Sequence, residues 1–255
     1  TFSSRGLGDV YKRQYIMSIK KIYELFKKHN SVSIDSRIIK PDDIFFAIKG
    51  PNFDGNNFAL QAIKNGASYV VSDNPTIKEK SDKIIYVNDS IEALQKLANY
   101  HRKQLNTKII AITGSNGKTT SKELILNVLK SKYNTIATEG NLNNHLGVPL
   151  SLLKMSQNTE FGIIEMGANH LNEITQLCKI AEPDFGYITN FGNAHLEGFG
   201  SIEGVIKGKS ELYNYLIKNK NFIFHNSENK KQKYLINNYK NTYSFGINSK
   251  SNCII

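Results

Sequence analysis

The sequence lacks several features that would assign it to a specialised class. Its 255 residues include only two cysteines, Cys178 and Cys253, and no tryptophan. Two cysteines this far apart form neither a disulfide framework nor a zinc site. The chain has no run of about 18 apolar residues, so we expect no membrane span. The opening segment TFSSRGLGDVYKRQ lacks the apolar stretch of a secretory signal. We therefore expect a soluble, reduced, cytoplasmic protein.

Acidic residues are also scarce, with 22 Asp and Glu against 33 Lys and Arg, and the net charge is +11. Nucleic-acid binding would require a compact basic stripe with interleaved aromatic residues. The lysines are instead scattered along the chain, which favours a solvated basic surface and no nucleic-acid partner. Part of the excess charge could attract anionic small molecules. The 40% share of apolar residues predicts packed cores and excludes wholesale disorder.

The length suggests two domains. Residues 1–16 show no periodic pattern and are interpreted as a tail, for which a non-native origin is one explanation. From Met17, a helical segment is followed by short apolar runs at 44–48, 69–71 and 84–87. Helical stretches at 57–65 and 90–105 separate these runs. Such alternation predicts a small α/β domain over residues 17–106.

The alternation restarts near residue 107 and predicts a second domain over 107–255. Near-continuous apolar strands are predicted at 108–113, 135–138, 161–165, 185–189 and 221–225, and helices follow each of them. This pattern indicates a mostly parallel sheet covered by helices on both faces. The final residues, YSFGINSKSNCII, begin another apolar element without finishing it, so we expect a truncated chain.

A glycine-rich turn between the first strand and first helix of this domain is the strongest motif. Its glycines let backbone N–H groups surround phosphate oxygens at a helix N-terminus. Lys118 can reach the β- and γ-phosphates, and the Thr119 hydroxyl can coordinate Mg²⁺. Ile112 stands where the standard phosphate loop has a further glycine, so this loop is shortened. The alternative is a tight turn with a surface lysine. The nucleotide-binding residues are predicted to be Gly114, Ser115, Asn116, Gly117, Lys118, Thr119 and Thr120.

Two further polar residues follow predicted strands. Glu165 ends the strand FGIIE, and His195 lies just beyond the strand FGYITN. Ligands of parallel sheets gather outside the carboxyl ends of the strands, where the phosphate loop also lies. A carboxylate and an imidazole near a bound triphosphate suit a second divalent ion or a positioned acid. Either residue considered alone would more often be structural.

Lys209 occupies an unexpected position on the apolar stripe of the helix SIEGVIKGKSELYNYLI. An inward lysine either extends its amine to the edge of the core or loses its proton through desolvation. A neutral amine can react with CO₂ to form a carbamate, which would act as a carboxylate ligand for a metal. From the residues alone, extension to the edge is favoured.

These residues together resemble the Mur ligases. The resemblance runs from about residue 17 to the end of the chain. The phosphate loop is shared with folylpolyglutamate synthetases, whereas EMGANH and NAHLEGFG are narrower and match members that add D-alanyl-D-alanine. The matching segments are Asp35-Ser36-Arg37, FFAIKGPNFDG (45–55), TGSNGKTTSKE (113–123), GNLNNHLGVPLSLL (140–153), EMGANH (165–170), ITNFGNAHLEGFGS (188–201) and KSELY (209–213).

The resemblance implies an ATP-dependent ligase that joins D-Ala-D-Ala to the terminal carboxylate of UDP-N-acetylmuramoyl-tripeptide through an acyl phosphate, in peptidoglycan precursor synthesis. Residues 114–120 would bind ATP, with Lys118, Glu165, His195 and Lys209 as catalytic residues. Two Mg²⁺ ions would be coordinated by Thr119, Glu165, His195 and Lys209, the last of these in its carbamylated form. The UDP-linked substrate would meet Asp35, Ser36, Arg37 and Lys49, and also Asn141, Asn143 and Asn144.

The resemblance also implies a third, C-terminal domain that this chain does not contain, so we expect the fragment alone to be inactive. A monomer is expected. One alternative is another Mur ligase or an amide ligase similar to folylpolyglutamate synthetase. A different class is a phosphate-loop switch or a nucleic-acid protein, but the N/T-K-x-D motif of a GTPase does not occur.

Overall fold

A computed structural model of the protein describes residues 17–29, 31–192, 196–247 and 250–255. The chain divides into two compact units, one ending at His101 and the other beginning at Arg102. Both units are built from a parallel sheet and flanking helices, which confirms the predicted α/β class. No helix within the described part of the chain is long and apolar enough to cross a membrane.

The first unit contains a four-stranded parallel sheet with the order β1-β2-β5-β6. Strand β2 is buried throughout, as is typical of parallel strands covered on both faces. Helix α1 buries Ile22, Tyr23 and Phe26, which share one helical face. The elements of this unit are α1 (Ile19–His29), β1 (Val32–Ser33), β2 (Ile44–Phe46), β3 (Lys49–Gly50), β4 (Phe53–Asp54), α2 (Ala59–Lys64), β5 (Tyr69–Ser72), β6 (Ile84–Tyr86) and α3 (Ser90–Gln104), whose last turn enters the second unit.

The second unit contains a seven-stranded parallel sheet with the order β13-β12-β11-β10-β7-β9-β8. Strand β7 lies between β10 and β9, and its pairing aligns Thr113 with Ile188 and Ile112 with Glu165. The carboxyl ends of the three central strands therefore lie side by side. The strands are β7 (Lys108–Thr113), β8 (Thr135–Ala137), β9 (Phe161–Glu165), β10 (Phe185–Ile188), β11 (Phe222–Asn226), β12 (Thr242–Gly246) and β13 (Cys253–Ile254).

Helices connect the strands of this sheet. Ser201 caps α8 by accepting a hydrogen bond at Oγ from the N–H of Gly204 at 3.1 Å. Gly186 on β10 allows α8 to approach closely, because a Cβ there would lie 2.5 Å from Leu216 Cδ1. The helices are α4 (Lys118–Lys130), α5 (Gly147–Leu153), α6 (Glu173–Ala181), α7 (Leu196–Phe199), α8 (Ile202–Lys218) and α9 (Lys230–Ile236).

The structure adds elements that the sequence pattern does not reveal. Strand β1 and the hairpin of β3 and β4 have two residues per strand, too short for a periodic signal. The helix predicted at 57–65 is in fact a 3₁₀ turn over Gly55–Phe58, followed by α2. Asp54 causes this early start, because its carboxylate accepts a hydrogen bond from the N–H of Asn56 at 2.9 Å. The unfinished apolar element at the end forms β12 and β13.

Candidate active site

The phosphate loop turns sharply between β7 and α4. Gly114 and Gly117 have φ values of 141° and 75°, a region that favours glycine. A side chain at Gly114 would also collide with the Thr189 hydroxyl. The two glycines are therefore required by backbone conformation, and at Gly114 also by close approach.

The segment after β10 holds this loop in place. The Thr189 hydroxyl donates a hydrogen bond to the carbonyl of Asn116 at 2.6 Å, and the N–H of Asn116 donates to Asn190 Oδ1 at 3.0 Å. The Ser115 hydroxyl donates to the carbonyl of Gly192 at 3.0 Å. We call residues 189–192 the loop strap. It restrains the loop through contacts with Ser115 and Asn116.

Lys118 and Thr119 begin helix α4. The Lys118 amine folds back over the loop and donates hydrogen bonds to the carbonyls of Gly114 at 2.9 Å and Ser115 at 3.3 Å. The Thr119 hydroxyl donates to Glu165 Oε2 at 3.0 Å. The structure thus brings the Thr119 hydroxyl, which is next to Lys118 in the chain, into contact with a carboxylate 46 residues away.

Glu165 is 2% exposed at the end of β9. Its other carboxylate oxygen accepts a hydrogen bond from the Asn143 amide at 2.8 Å, and its N–H donates to the Thr138 hydroxyl at 3.0 Å. A hydroxyl and a carboxylate are the hard oxygen donors that Mg²⁺ prefers when it also keeps waters and phosphate oxygens. The donors present therefore fit such an ion. Among the described residues, no group of three or more His, Cys, Asp or Glu could hold a metal by itself. His195 lies outside the described residues.

Lys209 is buried within α8 and is 1% exposed. Its amine donates a hydrogen bond to the carbonyl of Ala168 at 3.0 Å and lies 5.2 Å from the centre of the Phe199 ring. The expectation that this side chain extends to the edge of the core is therefore wrong. Burial, and next the positive charge of Lys118, lower the pKa of Lys209 to about 8, although the carboxylates of Glu173 and Glu211 act in the opposite direction.

A polar cavity of about 420 Å³ lies between the phosphate-loop lysine and helix α8. Lys118 and Lys209 both line it, together with Asn143 and Asn144. Sequence reasoning did not single out Asn169 and Glu173, which also line the cavity. The Glu173 carboxylate accepts hydrogen bonds from the N–H groups of Asn169 at 2.6 Å and His170 at 3.1 Å. The cavity therefore combines two lysines and several amide groups with one carboxylate, whose oxygen is already engaged by two backbone N–H groups.

The residues predicted to meet a UDP-linked substrate fall into both units. In the first unit, Asp35, Ser36 and Arg37 follow the carboxyl end of β1, and Lys49 is exposed in the hairpin after β2. Arg37 donates to both carboxylate oxygens of Asp35, at 2.9 Å and 2.6 Å, and these bonds hold the pKa of Asp35 at about 2.

In the second unit, the predicted residues lie in the segment before α5. Asn141 is exposed, and Asn143 contacts Glu165. The Asn144 side chain accepts hydrogen bonds from the N–H groups of Leu146 and Gly147 at 3.0 Å and 2.9 Å. Asn144 thus orders the start of α5 and also lines the cavity.

Sequence reasoning also missed Lys122, which is 1% exposed on α4. Its amine donates a hydrogen bond to the carbonyl of Thr138 at 2.6 Å. The signal was present, because Lys122 precedes Ile125, Leu126 and Leu129 at helical spacing, the pattern that identified Lys209.

Comparison with known proteins identifies relatives of both units. The Mur ligase middle domain matches residues 112–254, and the family described as "Mur ligase family, catalytic domain" matches residues 28–102. The UDP-N-acetylmuramoyl-tripeptide–D-alanyl-D-alanine ligase of Rickettsia prowazekii is 40% identical over 226 residues, which cover 87% of this chain and 50% of that protein. The enzyme of the same name from Bacillus subtilis is 40% identical over 73% of this chain and 41% of its own.

A solved structure of a Mur ligase has a similar fold. The MurF ligase of Thermotoga maritima, crystallised in complex with ADP, superposes with a TM-score of 0.78 and 34% identity. The match covers 87% of this chain and 51% of that one. The chain thus spans about half the length of the relatives it matches.

Proposed function

The chain belongs to the Mur ligase family, and from this premise we propose that it is part of an ATP-dependent ligase that joins D-Ala-D-Ala to UDP-N-acetylmuramoyl-tripeptide. The observation that carries the proposal is the cavity lined by Lys118 and Lys209, beside the contact between Thr119 and Glu165. The 40% identity to two enzymes of this name supports the choice of substrates. Because the reaction consumes ATP and a UDP-linked peptide, we also propose a cytoplasmic location.

ATP is proposed to bind at residues 114–120. The N–H groups of the loop and the N-terminus of α4 face phosphate oxygens in such loops. In this proposal Lys118 exchanges its contacts with the carbonyls of Gly114 and Ser115 for the β- and γ-phosphates. The ADP complex of the relative from Thermotoga maritima supports this assignment.

Mg²⁺ would be held by the Thr119 hydroxyl and the Glu165 carboxylate, which already lie 3.0 Å apart. When bound, the metal would neutralise charge on the transferring phosphoryl group. Asn143 would keep the Glu165 carboxylate oriented through its 2.8 Å hydrogen bond. We retain His195 as a further proposed ligand on the ground of sequence alone.

The reaction needs an activated carboxylate, because a carboxylate is itself a poor electrophile. The terminal carboxylate of the tripeptide attacks the γ-phosphate of ATP, and ADP leaves. Lys118 stabilises the charge on the phosphoryl oxygens. The neutral amine of D-Ala-D-Ala then attacks the acyl carbon, and a C–N bond forms in a tetrahedral intermediate. The C–O bond to phosphate breaks, phosphate leaves, and the nitrogen gives up a proton to solvent.

Lys209 is proposed to act as a carbamate. Its burial and its pKa of about 8 favour the neutral amine that attacks CO₂. The product would carry a negative charge and would offer oxygen atoms to a metal in the cavity lined by Lys118. The carbamate would also compensate the positive charge of Lys118.

The first unit is proposed to hold the UDP end of the peptide substrate. Arg37 is exposed and oriented by Asp35, and Lys49 is exposed on the hairpin. Two exposed cations after the carboxyl ends of adjacent strands suit an anionic nucleotide. Asn141, Asn143 and Asn144 are assigned to the pyrophosphate and muramoyl portion.

The decisive experiment is an amine-selection assay on a version of the protein extended to the length of its relatives. ADP formation is measured with UDP-N-acetylmuramoyl-tripeptide and one amine at a time. We expect turnover with D-Ala-D-Ala and none with meso-diaminopimelate, lysine or glutamate. Turnover with one of those amino acids in place of the dipeptide would instead identify another Mur ligase or a folylpolyglutamate synthetase-like enzyme.

A further inference from the structure

Helix α4, all of whose residues the structure describes, has one fully buried residue, and that residue is Lys122. The apolar residues of the same face, Ile125, Leu126 and Leu129, are only partly buried. A buried ammonium group is costly unless it is paired, and an apolar side chain of similar volume is often tolerated at least as well. The position therefore calls for a role that a leucine or methionine could not fill.

The contacts of Lys122 lead to the proposed metal ligands. Its amine donates to the carbonyl of Thr138, which follows β8, at 2.6 Å, and pairs with the half-exposed Glu123 at 3.0 Å. The Thr138 hydroxyl accepts the N–H of Glu165 at 3.0 Å. Thr138 is itself 1% exposed, so water does not compete for these bonds.

A closed ring of contacts results. Thr119 and Lys122 lie three residues apart on α4, and so on nearly the same side of the helix. Thr119 contacts the Glu165 carboxylate, Glu165 contacts the Thr138 hydroxyl, and the Thr138 carbonyl accepts from Lys122. The ring joins the first turns of α4 to the carboxyl ends of β8 and β9. It leaves the helix little freedom to rotate about its axis, because rotation would break either contact.

We propose that Lys122 is a positioning residue that fixes the rotation of α4, and thereby holds the Thr119 hydroxyl and the Glu165 carboxylate together for Mg²⁺-nucleotide. This inference rests on the proposed function. Lys122 contacts neither nucleotide nor metal in it. It acts through Thr138 and through the helix that carries Thr119.

The test measures how strongly Mg²⁺ increases nucleotide affinity. A fluorescent ATP analogue is titrated into the chain, once with EDTA and once with saturating Mg²⁺. The Kd in EDTA divided by the Kd in Mg²⁺ gives the factor by which Mg²⁺ increases affinity. Lys122→Met removes the donor at nearly constant volume. Thr138→Val removes the hydroxyl at the other side of the ring. Lys130→Met, which alters an exposed lysine at the end of the same helix, is the matched control.

We expect Lys122→Met to lower the ratio about tenfold or more, the size typical for loss of a partner that orients metal ligands. The Kd in EDTA should stay within about twofold, because the loop N–H groups remain in place. Thr138→Val should behave in the same way, and Lys130→Met should match the unaltered chain. If Lys122 had a merely structural role, its substitution would lower the melting temperature and raise the Kd in EDTA and the Kd in Mg²⁺ by the same factor.

The outcomes separate the two hypotheses. An unaltered chain whose nucleotide affinity ignores Mg²⁺ would overturn the proposed function and this inference with it. If Mg²⁺ increases nucleotide affinity as much in folded Lys122→Met as in the unaltered chain, the role of Lys122 is overturned and the proposed function is not affected. If Lys122→Met shows no cooperative melting transition, Thr138→Val decides, and an unchanged ratio there would equally reject the ring.

Discussion

The carboxyl edges of the two parallel sheets carry charged residues in opposite ways. At the edge of the large sheet, Glu165 is 2% exposed. Lys209 of helix α8, whose amine contacts Ala168 just after β9, is 1% exposed and lines a cavity. At the edge of the small sheet, Asp35 and Arg37 form a surface pair in which the Arg37 side chain is 85% exposed. Both sheets are parallel, but the solvent access of these side chains differs.

This difference determines what each edge can do chemically. Desolvation lowers the pKa of Lys209 and prepares a neutral amine, whereas hydrogen bonds from Arg37 lower the pKa of Asp35 and preserve its charge. Groups that keep their charge in water suit recognition of an anionic ligand, and groups that lose water suit reaction. We therefore propose that the second unit carries the reaction and that the first unit recognises the UDP end of the substrate.

The largest effect is expected for Lys118→Ala in the extended protein. Loss of the cation on the phosphoryl oxygens should lower turnover by about a thousandfold or more. Affinity for the UDP-linked substrate, measured by calorimetry, should stay nearly unchanged, because Lys118 acts on the ATP phosphates and is not among the residues assigned to that substrate. A parallel loss of that affinity would contradict the division between the units.

Lys209→Ala should reduce turnover by about a hundredfold or more, as expected when a metal ligand is lost. Acetate should partly restore the rate by filling the vacated space with a carboxylate. Lys209→Arg should be equally impaired, since a guanidinium stays charged and forms no carbamate. Rates with and without acetate decide the matter, and near-normal activity of Lys209→Arg would exclude the carbamate.

The stability of the chain should depend on pH because the Lys209 amine is buried. Its folded pKa of about 8 lies below the usual 10.5, so between these pH values the unfolded chain binds more protons. Stability therefore rises with pH through this window by on the order of 3 kcal/mol relative to Lys209→Met. Chemical denaturation from pH 7 to 10.5 measures the free energy of unfolding of the unaltered chain and of Lys209→Met. Taking the difference between the two proteins removes the contribution of other groups that titrate at alkaline pH. A constant difference would mean that the amine is not desolvated.

The smallest effect is expected at the exposed edge. Arg37→Ala should lower the affinity for the UDP-linked substrate by about tenfold, which is within the range for the loss of one charged hydrogen-bonding group. Affinity for ATP should not change. Lys64→Ala, an exposed cation on α2 of the same unit, controls for net charge. Equal losses in both variants would indicate nonspecific attraction in place of a site.

The sequence predicts the elements that carry strong periodic signals. The runs KIIAIT and FGIIE form β7 and β9 with the predicted bounds, because strands covered on both faces are apolar almost throughout. The two-residue strands of the β3–β4 hairpin give no such signal. The inward orientation of Lys209 followed from helical spacing. The same spacing marks Lys122, but the glycine-rich loop motif beside it is the stronger signal.

The contacts of the site were less accessible to sequence reasoning. Strand ends predict that Glu165 lies near the phosphate loop, but not that Asn143 and Thr138 orient it. Those contacts join loops far apart in the chain, and side-chain geometry determines them, which periodicity does not encode. The loop strap has the same origin, since Thr189 and Asn190 meet Asn116 only after β7 and β10 pair.

The loop strap has a thermodynamic consequence. A glycine-rich loop that was free in solution would lose conformational entropy each time it closed around phosphate. Here Thr189, Asn190 and the carbonyl of Gly192 already restrain it, so most of that entropy is lost once, when the chain folds. Ligand capture then proceeds from an ordered receptor, and the energy of each phosphate contact goes into affinity rather than into loop ordering.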